Sequence, residues 1–119
     1  MRILVVDDEP LLRDIFQAGL EGMGYQVQVA ESGKKALVIL EKDPFGFDLV
    51  IVDLNMPGWD GLETVARLRK VSPQIPVLLA TGYMGNSRCV DFMKLDRVDV
   101  INKPFKLDEL NKAIKKIMS

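Results

Sequence analysis

The sequence predicts an α/β fold made of five repeated βα units around a parallel sheet, and three observations lead there. Short β-branched apolar runs alternate with longer segments of helical period, the pattern of strands joined by crossover helices. The length, 119 residues, suits one domain with one core. A composition of 48% hydrophobic and 28% charged residues is that of an ordinary globular chain and excludes disorder.

Arg2–Val6 is the first predicted strand, and its nearly unbroken apolar run is what a strand covered on both faces requires. Leu12, Ile15, Phe16, Gly19, Leu20 and Met23 then recur at spacings of three and four, which predicts an amphipathic helix. Gln26–Ala30 alternates polar and apolar residues and reads as an edge strand, followed by a second helix carrying Gly33, Ala36, Leu37 and Leu40. Asp48–Val52 and Pro76–Ala80 are again apolar runs, separated by a weaker helical pattern at Leu62, Val65, Ala66 and Arg69. Residues 82–97 place Gly82, Gly85 and Asn86 before Cys89, Phe92 and Met93, which predicts a short helix after a flexible loop. Val98–Ile101 is the fifth strand, and Leu107, Leu110, Ala113, Ile114 and Ile117 mark the last helix. Asp108 and Glu109 fall in its first turn and Lys112, Lys115 and Lys116 toward its end, as the helix dipole favours.

A net charge of −1 gives no global attraction for nucleic acid or anionic lipid. The balance is uneven: residues 1–60 hold five basic and eleven acidic side chains, residues 61–119 eleven basic and six acidic. The one cysteine, Cys89, has no internal disulfide partner, and the N-terminal apolar run stops at Asp7, too short for a signal sequence. No apolar stretch approaches the roughly 20 residues that span a bilayer, so the expectation is a cytoplasmic protein. The absence of histidine removes Ser-His and Cys-His nucleophile pairs, imidazole zinc sites and a phosphohistidine of the chain's own. Any histidine chemistry must come from a partner.

Three apolar strands run directly into polar residues: Val6 into Asp7 and Asp8, Val52 into Asp53, and Ala80 into Thr81. A fourth reaches Lys103 one residue after Asn102. In an open parallel sheet the carboxyl ends of the strands share one edge, and ligands bind there where the strand order reverses. A lone aspartate at such a place is as often a turn residue, but four strands of five ending this way points to one pocket. Three carboxylates without histidine make a hard, oxygen-rich site suited to Mg²⁺, with Mn²⁺ as an alternative. A lysine ammonium and a threonine hydroxyl add the means to hold a phosphoryl group. An aspartate is itself a competent nucleophile toward phosphorus.

These residues resemble the receiver domain of bacterial two-component response regulators, of the single-domain chemotaxis type. The resemblance covers essentially the whole chain. It rests on Val5-Val6-Asp7-Asp8-Glu9-Pro10, on Asp48-Leu49-Val50-Ile51-Val52-Asp53-Leu54-Asn55-Met56-Pro57-Gly58, on Asp60-Gly61, on Thr81-Gly82-Tyr83 and on Lys103-Pro104-Phe105, in this order and spacing. It implies a doubly wound, flavodoxin-like sheet of order 2-1-3-4-5 and a single receiver domain over residues 1–119 with no effector domain. Asp53 is then the phosphoacceptor. Asp8, Asp53 and the backbone carbonyl of Asn55 are the Mg²⁺ shell, with Asp7 acting through a metal-bound water. Lys103 pairs with the acceptor carboxylate and then with the phosphoryl group, and Thr81 supplies the hydroxyl that moves toward it. The Lys103–Pro104 peptide is implied to be cis, and Gly58 belongs to the tight turn after the acceptor strand. Asn55 and Tyr83 match positions that tune the lifetime of the phosphoryl mark.

The implied partners are a sensor histidine kinase or phosphotransfer protein upstream and an unidentified target protein downstream, with no direct DNA binding and no membrane contact. One position departs from the pattern: the aromatic residue three before the lysine is Val100, which has no polar tip to swing, so a signal toward that face must travel differently. Two other classes stand beside this reading. A phosphohydrolase with an aspartate nucleophile would place Asp-x-Asp on the first strand and need a cap domain, and the chain has neither. A receiver-like binding module that works without phosphorylation draws support only from Val100. Trp59 reads as local packing in preference to a partner hot spot, Cys89, Met56, Met84 and Met93 as packing in preference to redox chemistry, and Lys106, Lys112, Lys115 and Lys116 equally as an acidic-partner surface or a solvated helix face.

Overall fold

A computed structural model describes residues 1–82 and 92–119. Five parallel strands, β1 (Arg2–Val6), β2 (Gln26–Ala30), β3 (Leu49–Asp53), β4 (Val77–Thr81) and β5 (Val98–Asn102), form one sheet in the order β2-β1-β3-β4-β5. Among the described residues four helices connect or flank them: α1 (Pro10–Gly22), α2 (Gly33–Lys42), α3 (Gly61–Val71) and α4 (Leu107–Met118). The predicted class, order and these helices are what the structure shows. The short helix expected within 82–97 falls mainly on residues 83–91, outside the described residues, as do Tyr83, Met84 and Cys89.

Two-sided burial explains the apolar runs. In β1, Leu4 and Val6 face a core that α2 and α3 cover, together with Val50 and Val52 of β3 and Val77 and Leu79 of β4. Ile3 and Val5 face the opposite core with Ile51, Leu78, Phe16 and Leu20 of α1, and Leu110 and Ile114 of α4. Each such side chain contributes about 1.5–3 kcal/mol on leaving water, so the central strands have no place for a polar residue until they end. At the β2 edge the alternation persists, with Gln26 and Gln28 exposed and Val27 and Val29 half-buried.

The strand limits differ slightly from the expectation. β3 and β4 start and stop one residue later than Asp48–Val52 and Pro76–Ala80, and β5 extends to Asn102. The ladder carries through the polar residues, pairing Asp53 with Ala80 and Thr81 with Asn102. The apolar pattern of α1 also overstates its buried face, since Phe16 and Leu20 are buried but Ile15 stays half exposed. α2 and α3 begin at side-chain caps: Ser32 accepts from the Lys35 N–H at 3.2 Å and Asp60 from the Glu63 N–H at 2.9 Å. α4 has Asp108 and Glu109 in its first turn and Lys115 and Lys116 in its last.

Candidate functional site

The strand order reverses between β1 and β3, since the chain leaves β1 toward β2 and returns across it to β3. The crevice this creates at the carboxyl ends holds Asp7 and Asp8, directly after β1, and Asp53 at the end of β3. One carboxylate oxygen from each lies within 4.8 Å of the others. Among the described residues this is the one group of acidic side chains so placed.

Asp7 is almost wholly buried, and most of its polar atoms are committed. Its N–H donates to the Ala30 carbonyl at 3.1 Å, its Oδ1 accepts the Glu9 N–H at 3.0 Å, and its carbonyl accepts the Arg13 guanidinium at 2.8 Å. Its Oδ2 is buried without a hydrogen-bond partner, and the Lys103 ammonium is 3.8 Å away. Burial pushes the Asp7 carboxyl above its ordinary range; the Glu9 hydrogen bond opposes this, the Asp53 charge adds to it, Lys103 opposes it and Asp8 adds to it.

Asp53 ends β3 with 7% of its surface exposed. Its Oδ1 lies 3.1 Å from Lys103 Nζ and 3.4 Å from the Asn55 N–H. The loop that follows doubles back tightly, with the Leu54 N–H donating to Ala80 and the Gly61 N–H to Leu54, both at 2.8 Å. Gly61 is required there, because a Cβ would sit 2.6 Å from the Asp53 carbonyl oxygen and 2.7 Å from Leu54 Cα. Gly58 adopts φ +75°, the left-handed conformation that glycine takes without strain. Asn55 is exposed and Met56 buried.

Thr81 is fully buried at the end of β4, and its carbonyl accepts the Lys103 N–H at 2.7 Å. That bond ties the lysine backbone to the sheet edge, and the Lys103–Pro104 peptide is cis. Val100 pairs with Leu79 in the ladder and packs half-buried against the core under α2 and α3. Asp7, Asp8, Asp53, Asn55, Thr81 and Lys103 therefore all lie at the carboxyl edge of the sheet, whereas Val100 lies inside β5 and Tyr83 outside the described residues. Trp59 packs locally, with the Arg67 guanidinium 4.5 Å and the Lys34 ammonium 5.8 Å from its ring centre.

The residue that sequence reasoning missed is Arg13, which acts on a backbone oxygen six residues upstream; no side-chain pattern marks such a contact. The donor set is three carboxylates with one buried oxygen left unsatisfied. This fits a hard divalent cation with oxygen ligands, and the lysine is placed to share a second anionic group. No described helix is long and apolar enough to cross a membrane.

Comparison with known proteins agrees with the fold. The chain is 37% identical over 117 residues to the transcriptional regulatory protein ZraR of Escherichia coli K12, covering 98% of this chain but 26% of that protein. The chain thus spans about a quarter of the length of the curated relatives it first matches. Among solved structures, the receiver domain of the hybrid histidine kinase CckA is 30% identical with a TM-score of 0.86, both chains being covered completely. The chemotaxis protein CheY4 of Vibrio cholerae is 28% identical with a TM-score of 0.89, covering 98% of this chain and 97% of the other. The family model for the response regulator receiver domain matches residues 3–115, and with the fold in agreement, the chain belongs to the response regulator receiver domain family.

Proposed function

We propose that this receiver domain is switched by transfer of a phosphoryl group to Asp53 from a phosphohistidine on a partner histidine kinase or phosphotransfer protein. The observation that carries the reading is the placement of Lys103 Nζ, 3.1 Å from Asp53 Oδ1 and 3.8 Å from Asp7 Oδ2, beside the three clustered carboxylates. Mg²⁺, or Mn²⁺ in its place, would be held by Asp8, Asp53 and the Asn55 carbonyl, with Asp7 reached through water, and would neutralise phosphoryl oxygens.

The protein's own part is positioning and charge. An Asp53 carboxylate oxygen attacks phosphorus as the P–N bond to the donor imidazole breaks, and that electron pair stays on the imidazole nitrogen. Lys103 is near enough to follow the charge from carboxylate to phosphoryl oxygens, and the buried Thr81 supplies a hydroxyl at the next strand end. Phosphorylation brings about −1.5 to −2 charge into the crevice. The chain so acts as a phosphoacceptor that catalyses only its own modification and slow hydrolysis. Residues 1–119 form one receiver unit, and the mark is read as an altered contact surface by another folded unit.

An apolar groove lined by Leu12, Ile15, Phe105 and Leu107 adjoins Lys103. The test is intact mass after incubation with Mg²⁺ and a phosphoramidate, with Trp59 emission followed in parallel. One Mg²⁺-dependent phosphoryl adduct on the wild type, absent from Asp53→Asn, is expected. An adduct that persists in Asp53→Asn, or phosphate turnover without an adduct, would overturn the reading.

A further inference from the structure

Arg13 lies outside the set of groups that touch the crevice, yet it holds the loop that carries two of the three carboxylates. That loop is only Asp7-Asp8-Glu9 between the end of β1 and Pro10, the first residue of α1. Each end is fixed: the Asp7 N–H by Ala30 and the Glu9 N–H by Asp7 Oδ1. Between them the Asp7–Asp8 peptide plane decides the direction in which the Asp8 side chain leaves the backbone. Its oxygen accepts Arg13 Nη1 at 2.8 Å from one turn inside α1. Asp7 carries its second carboxylate oxygen into the crevice, buried, with no hydrogen-bond partner and 3.8 Å from the Lys103 ammonium.

We propose that Arg13 is a positioning residue for divalent-cation binding: its hydrogen bond to the Asp7 carbonyl holds Asp7 and Asp8 in the geometry that a cation at the three-carboxylate crevice needs. This rests on the reading of the crevice as a Mg²⁺ site. Charge alone makes the opposite prediction. A guanidinium next to the site repels a dication, so if Arg13 mattered only through its charge, its removal would tighten Mg²⁺ binding. If it matters through the loop, removal weakens binding, as loss of a group that orients metal ligands typically does by about 10–100-fold. The sign of the change therefore separates the two.

The experiment is Mg²⁺ titration by calorimetry and by Trp59 emission on the whole chain, for the wild type, Arg13→Met and Arg13→Lys, with a thermal melt of each in EDTA. Methionine keeps an apolar stem and removes the donor and the charge; lysine keeps both and loses the fork. The expected result is a Mg²⁺ dissociation constant raised about tenfold or more in Arg13→Met and restored to within about threefold in Arg13→Lys, measured well below both melting temperatures. Unchanged or tighter binding by Arg13→Met would overturn the inference. So would binding by Arg13→Lys as weak as that of Arg13→Met. Should Arg13→Met not fold, Arg13→Gln, which keeps a donor without the charge, takes its place, and tighter binding by it refutes the inference equally. A wild type that does not bind Mg²⁺ would instead refute the reading of the crevice.

Discussion

Replacing Asp7 with Asn is expected to make the cation-free protein more stable while weakening its hold on the cation. Asp7 and Asp53 present oxygens no more than 4.8 Å apart, which at an effective dielectric of about 20 is a repulsion of at least about 3.5 kcal/mol. Lys103 at 3.8 Å returns about 4 kcal/mol of attraction on the same scale, so these two contributions roughly cancel. What remains is the burial of the charge and the repulsion from Asp8, which is half-exposed and partly screened. The net is a destabilisation at pH 7, in the direction of the raised Asp7 pKa, so in EDTA the melting temperature of Asp7→Asn should lie above that of the wild type. The Asn Oδ1 can still accept the Glu9 N–H, so the loop keeps its bond.

The sign with pH follows from the raised pKa. Between the ordinary aspartate value, about 3.9 in the unfolded chain, and the higher native value, the native state binds more protons than the unfolded one. Wild-type stability attributable to Asp7 is therefore full at low pH and lost as pH rises through the native pKa. The advantage of Asp7→Asn should be present at pH 7 and vanish below about pH 4. Thermal melts in EDTA across that range measure it. In saturating Mg²⁺ the order should reverse, because ligand binding stabilises the wild type by mass action. A variant no more stable than the wild type at pH 7 in EDTA, or an advantage that persists undiminished at pH 3, would refute the reasoning.

Two substitutions test the packing that carries the site. Gly61→Ala should destabilise by about 2–3 kcal/mol in urea denaturation and lower the yield of the Asp53 adduct, since its Cβ meets backbone atoms of Asp53 and Leu54 that cannot rotate away. Gly33→Ala should cost about 1–3 kcal/mol, because its Cβ would press on Thr64 across the contact between α2 and α3, with Thr64 Cβ and Cγ2 both at 3.2 Å. Adding Thr64→Ala should recover much of that loss, with a coupling energy of about 1 kcal/mol or more in a double-mutant cycle; additive effects would show that the contact is not the cause.

The class and order of the fold were legible because burial on both faces leaves β1, β3 and β4 nothing but apolar residues until the chain reaches the edge. Their limits were less so. A hydrophobic reading stops at Asp53 and Thr81, whereas the hydrogen-bond ladder follows the backbone and pairs both. The site residues were readable for the same reason that the limits were not: they are the polar residues at which apolar strands break off. Arg13 was invisible because it works through a main-chain oxygen, and the two cations around Trp59 because Lys34 and Arg67 belong to different helices that meet only in the folded chain.

Charge explains why the crevice needs more than the lysine it contains. Three carboxylates and one ammonium carry a formal excess of two negative charges, which a divalent cation balances and a second lysine would only halve. Such a site is a stability liability until it is occupied, and its geometry has to be held against the repulsion of its own groups. Asp7→Asn relieves the repulsion and Arg13→Met releases the restraint. If electrostatics alone governed the crevice, removing a positive charge near it should tighten Mg²⁺ and removing a negative one should weaken it. If the loop must also be held, both variants weaken Mg²⁺ while their effects on cation-free stability differ, Asp7→Asn raising it and Arg13→Met not. That divergence between binding and stability is the signature of a site whose ligands are kept in place by the surrounding backbone and not by attraction to one another.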